Sequence, residues 1–526
     1  MRLRVALLAP IALAACFERG GGRPAKRDAG VVATVTADAA ADDGGWLVGE
    51  PGGVADPAAT VRIALEAEPV SLDPFAAGDA TARRVLADVY EGLLCPDATG
   101  APAACLAARW EVSADRTTWR FWLRPGVRFH DGGEVTAADV IASVRAPGQG
   151  ASARGPLAAV VDDLVAADSP APGEVVLRFA AARVGRARDL TMIPIAPAAR
   201  IAAGDLDRAP VGTGPLRVVT WRRGEAIALA RWDGYRGPPA AAAAVRYRVT
   251  ADRAEALRLI AAGELDVAVQ VPIDQARAFT ADHAGAVRFR YEMPAFLAAV
   301  YNTRRAALAA PATRRGLTAL LDRPGLATEM LGGARRLSGP WPPGDPYADP
   351  AVAPVPFDRA LAARLLGAAR PAVELLVPQG STTTARIADV WAADARDLAR
   401  LTVRAVPYPD FLARLAGGDF DVAITSLSAG PEVDWWSRFA SAAPPADAWP
   451  GLADPALDDL LSGFRTVDDP ARRAGLARAI HRRLDELQPL AFIAVDTRAG
   501  VAGAGVGGLV GAVDGPPRAR AIWKAR

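Results

Sequence analysis

Trp119-Arg-Phe-Trp-Leu-Arg-Pro-Gly-Val-Arg-Phe-His-Asp-Gly-Gly-Glu-Val-Thr-Ala-Ala-Asp-Val140 is the stretch whose order of parts decides the fold. It opens as a strand in which Trp119, Phe121 and Leu123 share one face. Pro125-Gly126 turns the chain and Asp131-Gly132 turns it again. Thr136 then starts a helix, and Asp139, three residues on, completes a weak capping box. Nothing in the stretch is catalytic by chemistry.

Similar units flank it. Thr60–Leu65 reads as a strand with Val61, Ile63 and Leu65 on one face. A loop from Glu68 to Pro74 follows, then a helix expected from about Thr81 to Gly92, with Val85, Leu86, Val89 and Tyr90 as its buried stripe. Gly212-Thr-Gly-Pro-Leu-Arg-Val-Val-Thr-Trp221 enters a strand after a glycine turn, and Ala226–Arg231 is expected to pair with it. A phosphate cradle at Gly212–Gly214 is disfavoured, because no lysine follows and Pro215 leads into a strand where a helix is needed. One pattern occurs twice. A helix at about 252–262 ends at Gly263 before Glu264-Leu-Asp-Val-Ala-Val269, and another at 410–416 ends at Gly417-Gly418 before Asp419-Phe-Asp-Val-Ala-Ile424. Helix–glycine–strand units of this kind build α/β lobes with covered sheets, and two copies suggest two lobes. Between them, Phe296–Thr303 reads as a strand ending in the polar pair Asn302-Thr303. Residues 312–331 read as helical with a break at Pro324, and Ser338–Pro346 is too proline-rich for either element. Helices at 358–368, 382–399 and 470–487 and a strand at 401–406 complete the reading.

The number and order of these parts resemble the extracytoplasmic solute-binding proteins of family 5, which serve peptide, nickel and related ABC importers. The matching residues are Ser71–Pro74, Tyr90–Leu94, the Trp119–Val140 stretch, Gly212–Pro215, the Asp233-x-Tyr235 ending, Asn302-Thr303, Leu321-Asp322-Arg323 and Pro342-Pro343-Gly344. They span about 60 to 510. The resemblance implies an α/β bilobal periplasmic-binding-protein type II fold with an extra inserted subdomain. One lobe would comprise 60–85, 200–292 and the return 491–526; the insertion would be 86–199 and the second lobe 293–490. It further implies a monomer that closes on a small molecule or short peptide and docks on an ABC permease, with no cofactor and no nucleic acid.

The run Ser426-Leu-Ser-Ala-Gly-Pro-Glu-Val-Asp-Trp-Trp-Ser-Arg-Phe439 follows a strand end, where α/β folds place ligand loops. In peptide-binding relatives this loop carries an aspartate that holds the ligand's amino terminus. Here Gly430 takes that position, and Glu432 or Asp434 would serve only if the loop is shifted. Trp435 and Trp436 would either stack on a ligand or belong to the core. The expected ligand-binding set is Asn302, Ser428, Gly430, Glu432, Asp434, Trp435 and Trp436, with no catalytic and no metal-binding residues.

The N-terminus assigns a compartment. Met1-Arg2-Leu3-Arg4 is a short positive start, and the apolar run Val5–Ala15 is shorter than the ~20 residues a spanning helix requires. It fits a signal peptide ending at Leu13-Ala14-Ala15-Cys16, which resembles a lipoprotein cleavage site, with Cys16 as the lipid anchor on the extracytoplasmic face. Residues 17–59 are Gly-, Ala- and Asp-rich and are expected to form a disordered tether with a reach of roughly 35–40 Å. Cys95 and Cys105 are then expected to form a disulfide across a hairpin loop.

Composition narrows the alternatives. The chain has 526 residues, 51% of them apolar, and a formal charge of +2. Arginine and acidic residues interleave, so the clustered basic excess of a nucleic-acid binder is missing. His130, His283 and His481 lack partners at metal-ligand spacing. Gly503-Ala-Gly-Val-Gly-Gly508 matches a dinucleotide pattern but lies too near Pro516-Pro517 to open a helix. Two other readings stay open: a secreted hydrolase using cleft carboxylates, and a receptor that reports to a sensor.

Overall fold

The computed structural model describes residues 46, 53–98, 100–149, 157–183, 185–428, 435–444, 447–467, 469–512 and 515–526. Cys16 lies outside them.

β1 (Thr60–Leu65) buries Val61, Ile63 and Leu65 on one face and Ala64 on the other, the signature of a strand covered on both sides. The helix Ala80–Leu86 follows, capped by the Asp79 carboxylate, which accepts the Ala82 N–H. It stops at Leu86, short of the Gly92 expected from the apolar stripe. Val89 and Tyr90 are buried as expected, yet the Asp88 and Val89 carbonyls turn outward to accept the N–H groups of Leu216 and Gly214, at 3.0 and 2.9 Å. Tertiary pairing overrides the helical pattern there.

This contact explains the Gly-Thr-Gly-Pro motif. A Cβ on Gly212 would sit 2.1 Å from the Val89 carbonyl oxygen, and one on Gly214 2.3 Å from that of Asp88. Both glycines are therefore required by close backbone approach. Glu91, buried beside them, accepts hydrogen bonds from Thr213 (2.9 Å), Tyr235 (3.1 Å) and both terminal nitrogens of Arg236 (2.5 and 3.0 Å). His130 closes the junction. It takes the Gly212 N–H on Nδ1 (3.3 Å), which leaves Nε2 to donate to the Gly214 carbonyl (3.0 Å). Four separated sequence motifs thus form one interlock.

The insertion begins with a hairpin, β2 (Leu94–Pro96) and β3 (Pro102–Ala104), across which Cys95 and Cys105 are bonded. A four-stranded antiparallel sheet follows, made of β4 (Ala107–Val112), β5 (Thr118–Leu123), β6 (Leu164–Asp168) and β7 (Glu174–Phe179) in the order β4-β5-β7-β6. Trp119 and Phe121 are buried on β5, and Leu123 is half-buried. Thr136 and Asp139 form the capping box of the helix Ala137–Arg145.

The chain then rejoins β1 through β8 (Leu216–Arg222), β9 (Ala226–Arg231), β10 (Ala244–Val249), β11 (Val267–Val271) and β12 (Val287–Tyr301). β13 (Ala372–Pro378), β14 (Arg400–Val406), β15 (Val422–Ser428) and β16 (Leu490–Ala502) complete a ten-stranded sheet in the order β14-β13-β15-β12-β16-β11-β1-β10-β9-β8. β12 is longer than the strand expected from Phe296. Its first half alternates Val287, Phe289, Tyr291 and Met293, a period-2 run continuous with the rest.

Helices cover both faces of each half of the sheet. In the first half Ile63, Val85 and Tyr247 pack on one face, and Leu259, Phe279 and Val501 on the other. In the second half Leu297, Leu375 and Trp391 pack on one face, and Leu376, Phe411 and Trp435 on the other. Each such residue contributes roughly 1.5–3 kcal/mol. The expected helix over 312–331 resolves into Pro311–Thr318, the single turn Arg323–Gly325 and the wide turn Leu326–Met330. Pro324 lacks an N–H, so it sits in the first turn of a new segment.

The expected tether also gives up residues to the body. Trp46 is 5% exposed, in a core with Ala64, Leu259 and Phe279. The Asp56 N–H reaches the Lys524 carbonyl at 2.8 Å, and Pro57 accepts from Arg231. An indole buried against apolar side chains offsets the ordering cost that composition alone suggested would win.

Candidate functional site

Strand direction locates the site. β1 runs parallel to β10 and β11, and β11 is antiparallel to β16. β12 and β16 pair in three blocks. Val287–Glu292 face Ala502–Thr497, Phe296–Leu297 face Val495–Ala494 and Ala298–Val300 face Phe492–Leu490, with register shifts between Glu292 and Phe296 and between Leu297 and Ala298. Three residues, Met293 to Ala295, therefore oppose Asp496 alone. Pro294 removes one N–H from the ladder at that point. In the second half β13, β14 and β15 are mutually parallel, and the β15 end at Ser428 lies opposite Ala295. The carboxyl ends of the parallel strands in both halves thus point at the same line across β12 and β16. This end of the parallel strands is the position at which open α/β sheets bind ligands.

Several polar side chains along this line are paired. Ser426 donates to Asp496 Oδ2 at 2.9 Å, and Arg498 Nε and Nη2 reach the two Asp496 oxygens at 3.1 and 3.0 Å. Asp496 is 6% exposed. Glu292 holds Arg335 of the second half at 3.0 and 2.7 Å. Arg84 is bound to Glu66, directly after β1, at 2.7 and 2.8 Å. Tyr291 is buried among them; its hydroxyl accepts the Gln270 N–H at 3.2 Å, and burial pushes its pKa up to about 12, so it stays a neutral phenol. Gln270 has φ +56° at the register shift of β11, a left-handed backbone that costs a non-glycine residue of order 1 kcal/mol.

This arrangement offers directed polar contacts. Each carboxylate named here is tied to a guanidinium. Among the described residues, the one group with metal-ligand proximity is Glu91, Cys95 and Cys105, and its two sulfurs are bonded to each other. The histidines act structurally. His481 is buried, accepts the Asp349 N–H at 3.0 Å and lies 3.1 Å from the Ser338 hydroxyl, and His283 stacks on Phe279.

The expected ligand residues fall in different places. Ser428 is exposed at the end of β15, on the line. Gly430, Glu432 and Asp434 lie outside the described residues. Trp435 is 2% exposed and packs against Phe296 (6.0 Å between centroids), Trp341 (6.1 Å) and Phe439 (5.9 Å), which is the core reading of that residue. Trp436 is half-buried, with the Arg465 guanidinium 4.7 Å from its ring. Asn302 is 1% exposed; its amide donates to the Gly418 and Phe420 carbonyls at 3.0 and 2.9 Å, and its oxygen accepts from Arg304 at 2.8 Å. That bonding makes it a tie between β12 and the turn before β15. Sequence reading did not single out Glu66, Arg84, Tyr291, Asp496 and Arg498. The alternation Tyr291–Met293 and Asp496–Arg498 was the available signal, and without the pairing of β12 with β16 it had no location.

The sequence model of the bacterial extracellular solute-binding proteins, family 5 Middle, matches residues 101–444, more than half of the chain. Protein XP55 of Streptomyces lividans is 28% identical over 461 residues, covering 82% of both chains. The glutathione-binding protein GsiB of Pectobacterium atrosepticum is 27% identical over 376 residues, covering 70% of this chain and 69% of its own. Among solved structures, NikA of Brucella suis in complex with Fe(III)-EDTA superposes with a TM-score of 0.81 at 22% identity, over 89% of this chain and 100% of that one. That likeness gives the fold: two lobes of the type II periplasmic-binding-protein class.

Proposed function

The chain belongs to the bacterial extracellular solute-binding proteins of family 5, and from that premise we propose that it is a lipid-anchored receptor that clamps a small solute between two lobes and passes it to an ABC importer. Its family and fold are those of binding proteins, not enzymes. No helix among the described residues is long and apolar enough to cross a membrane. The anchor in this reading is the lipid on Cys16, and the partner is a permease.

One observation carries the proposal. The carboxyl ends of two separate sets of parallel strands face one line, and among the described residues β12 and β16 alone cross that line, changing register there. Two rigid half-sheets joined by two irregular crossings form a hinge, with binding free energy set against an open–closed equilibrium. The crossing at 293–295 supports the expected lobe boundary at 293, and the one at Asp496 supports a return to the first lobe near the expected 491.

The solute is a peptide-like or other small molecule with polar ends. GsiB's glutathione is one such ligand. Gly430 removes the aspartate charge that peptide-binding relatives would use, so Glu432 or Asp434 takes the ligand's cationic end in this reading. The test is native mass spectrometry of gently purified protein. Wild type retains a small-molecule adduct, and Glu432→Gln or Asp434→Asn loses it. Equal retention by wild type and both variants removes the loop from the site.

A further inference from the structure

We infer that Trp46 is a spacer between the two halves, so that the segment preceding the folded body helps set the open–closed equilibrium. The inference rests on the hinged reading above and adds an element to it. Trp46 is 5% exposed, although composition places it in a polar, glycine-rich stretch. Its ring belongs to the first half's core with Ala64, Ala256, Leu259, Phe279 and Val501, and the guanidinium groups of Arg288 and Arg277 lie 5.5 and 5.9 Å from its centroid. Its N–H is buried without an acceptor among the described residues.

The ring also meets the second half. Gly332 follows Leu331, a member of the second half's core. A Cβ on Gly332 would lie 3.3 Å from Trp46 Cζ2 and 3.1 Å from Ile273 Cδ1. Gly332 has φ +63°, so glycine is favoured there on backbone grounds and is needed for space as well. Its carbonyl accepts from Arg290 Nη1 at 2.7 Å. Arg290 is on β12, a few residues before the register shift. Indole, Ile273 and Arg290 therefore set the separation of the halves close to the pivot. At that place a small change in thickness becomes a large change in angle, because packed interfaces adjust in discrete steps.

Pulsed electron paramagnetic resonance on the full chain tests this. Nitroxides are carried on p-acetylphenylalanine at Asp233 in the first half and Asp397 in the second, both largely exposed (96% and 84%). Wild type gives a reference distance distribution. Trp46→Ala shifts and broadens it by several ångströms, Trp46→Phe gives an intermediate result, and Gly332→Ala, which thickens the contact, shifts it in the opposite sense. Circular dichroism confirms that each variant is folded, and the Phe and Gly332 variants decide the matter where Trp46→Ala is not. Adding a tryptic peptide mixture to wild type is the separate test of hinge closure. A shift with peptides but wild-type distributions in all three variants overturns the spacer and leaves the hinge standing. No shift from peptides or variants overturns both.

Discussion

Asp496→Asn is the substitution that weighs the pivot most directly. The Asp496 carboxylate accepts three hydrogen bonds, one from Ser426 and two from Arg498. Asparagine keeps one acceptor oxygen and points an NH2 at a donor. Hydrogen bonds to a charged group contribute roughly 1.5–3 kcal/mol each when buried. The Arg498 side chain is 34% exposed, so water replaces part of what it loses and the sum is discounted. The expected loss is about 2 kcal/mol. Ser426→Ala removes one hydroxyl donor and costs about 1 kcal/mol, and the double variant loses less than the sum because both remove the same bond. Urea unfolding followed by far-ultraviolet circular dichroism measures all three, with the midpoint moving at constant slope. Hydrogen exchange then shows faster opening over 490–502, where β12 and β16 pair, than over 372–378, away from the pivot. The reasoning fails if Asp496→Asn lies within about 0.5 kcal/mol of wild type, or if the two substitutions are additive.

Three further outcomes test the frame around the site. Gly212→Ala places a methyl 2.1 Å from the Val89 carbonyl and must push the backbones apart, so it lowers stability by at least 1–3 kcal/mol in the same urea assay; a neutral result removes close approach as the reason for the motif. Burial holds the His130 pKa down to about 4, so the unfolded chain takes up this proton near pH 6.5 while the native one does not. Stability from this group is therefore complete above about pH 6.5, falls by up to about 3 kcal/mol as pH drops towards 4 and levels off below, and His130→Asn flattens that part of the profile. Replacing both Cys95 and Cys105 by serine opens a crosslink between residues ten apart and costs about 2–3 kcal/mol, read from the urea midpoint under non-reducing conditions.

The sequence disclosed elements wherever local signals agreed. β9 spans Ala226–Arg231 and the helix Pro470–Leu487, as their alternation and proline start suggest. The Thr136–Asp139 box was visible because its chemistry lies within four residues. What stayed hidden depends on partners far along the chain. The Ala80–Leu86 helix ends early because Asp88 and Val89 serve residues 214–216. Asn302 looks like a polar residue at a ligand-facing strand end, and its amide is committed to the Gly418 and Phe420 carbonyls. Trp435 reads equally as stacking platform or core until Phe296 and Trp341 are placed beside it. The alternation to which Arg498 and Asp496 belong gives them no location in the fold. They matter because β16 crosses from one half of the sheet to the other at that point.

Small-angle X-ray scattering of the gently purified protein, compared with the same protein stripped of cargo by unfolding, dialysis and refolding, reaches the core of the account. Closure on a solute predicts a smaller radius of gyration for the loaded form and its recovery when the extracted cargo is returned. Superimposable profiles from loaded and stripped protein would contradict a receptor that works by shutting around its ligand.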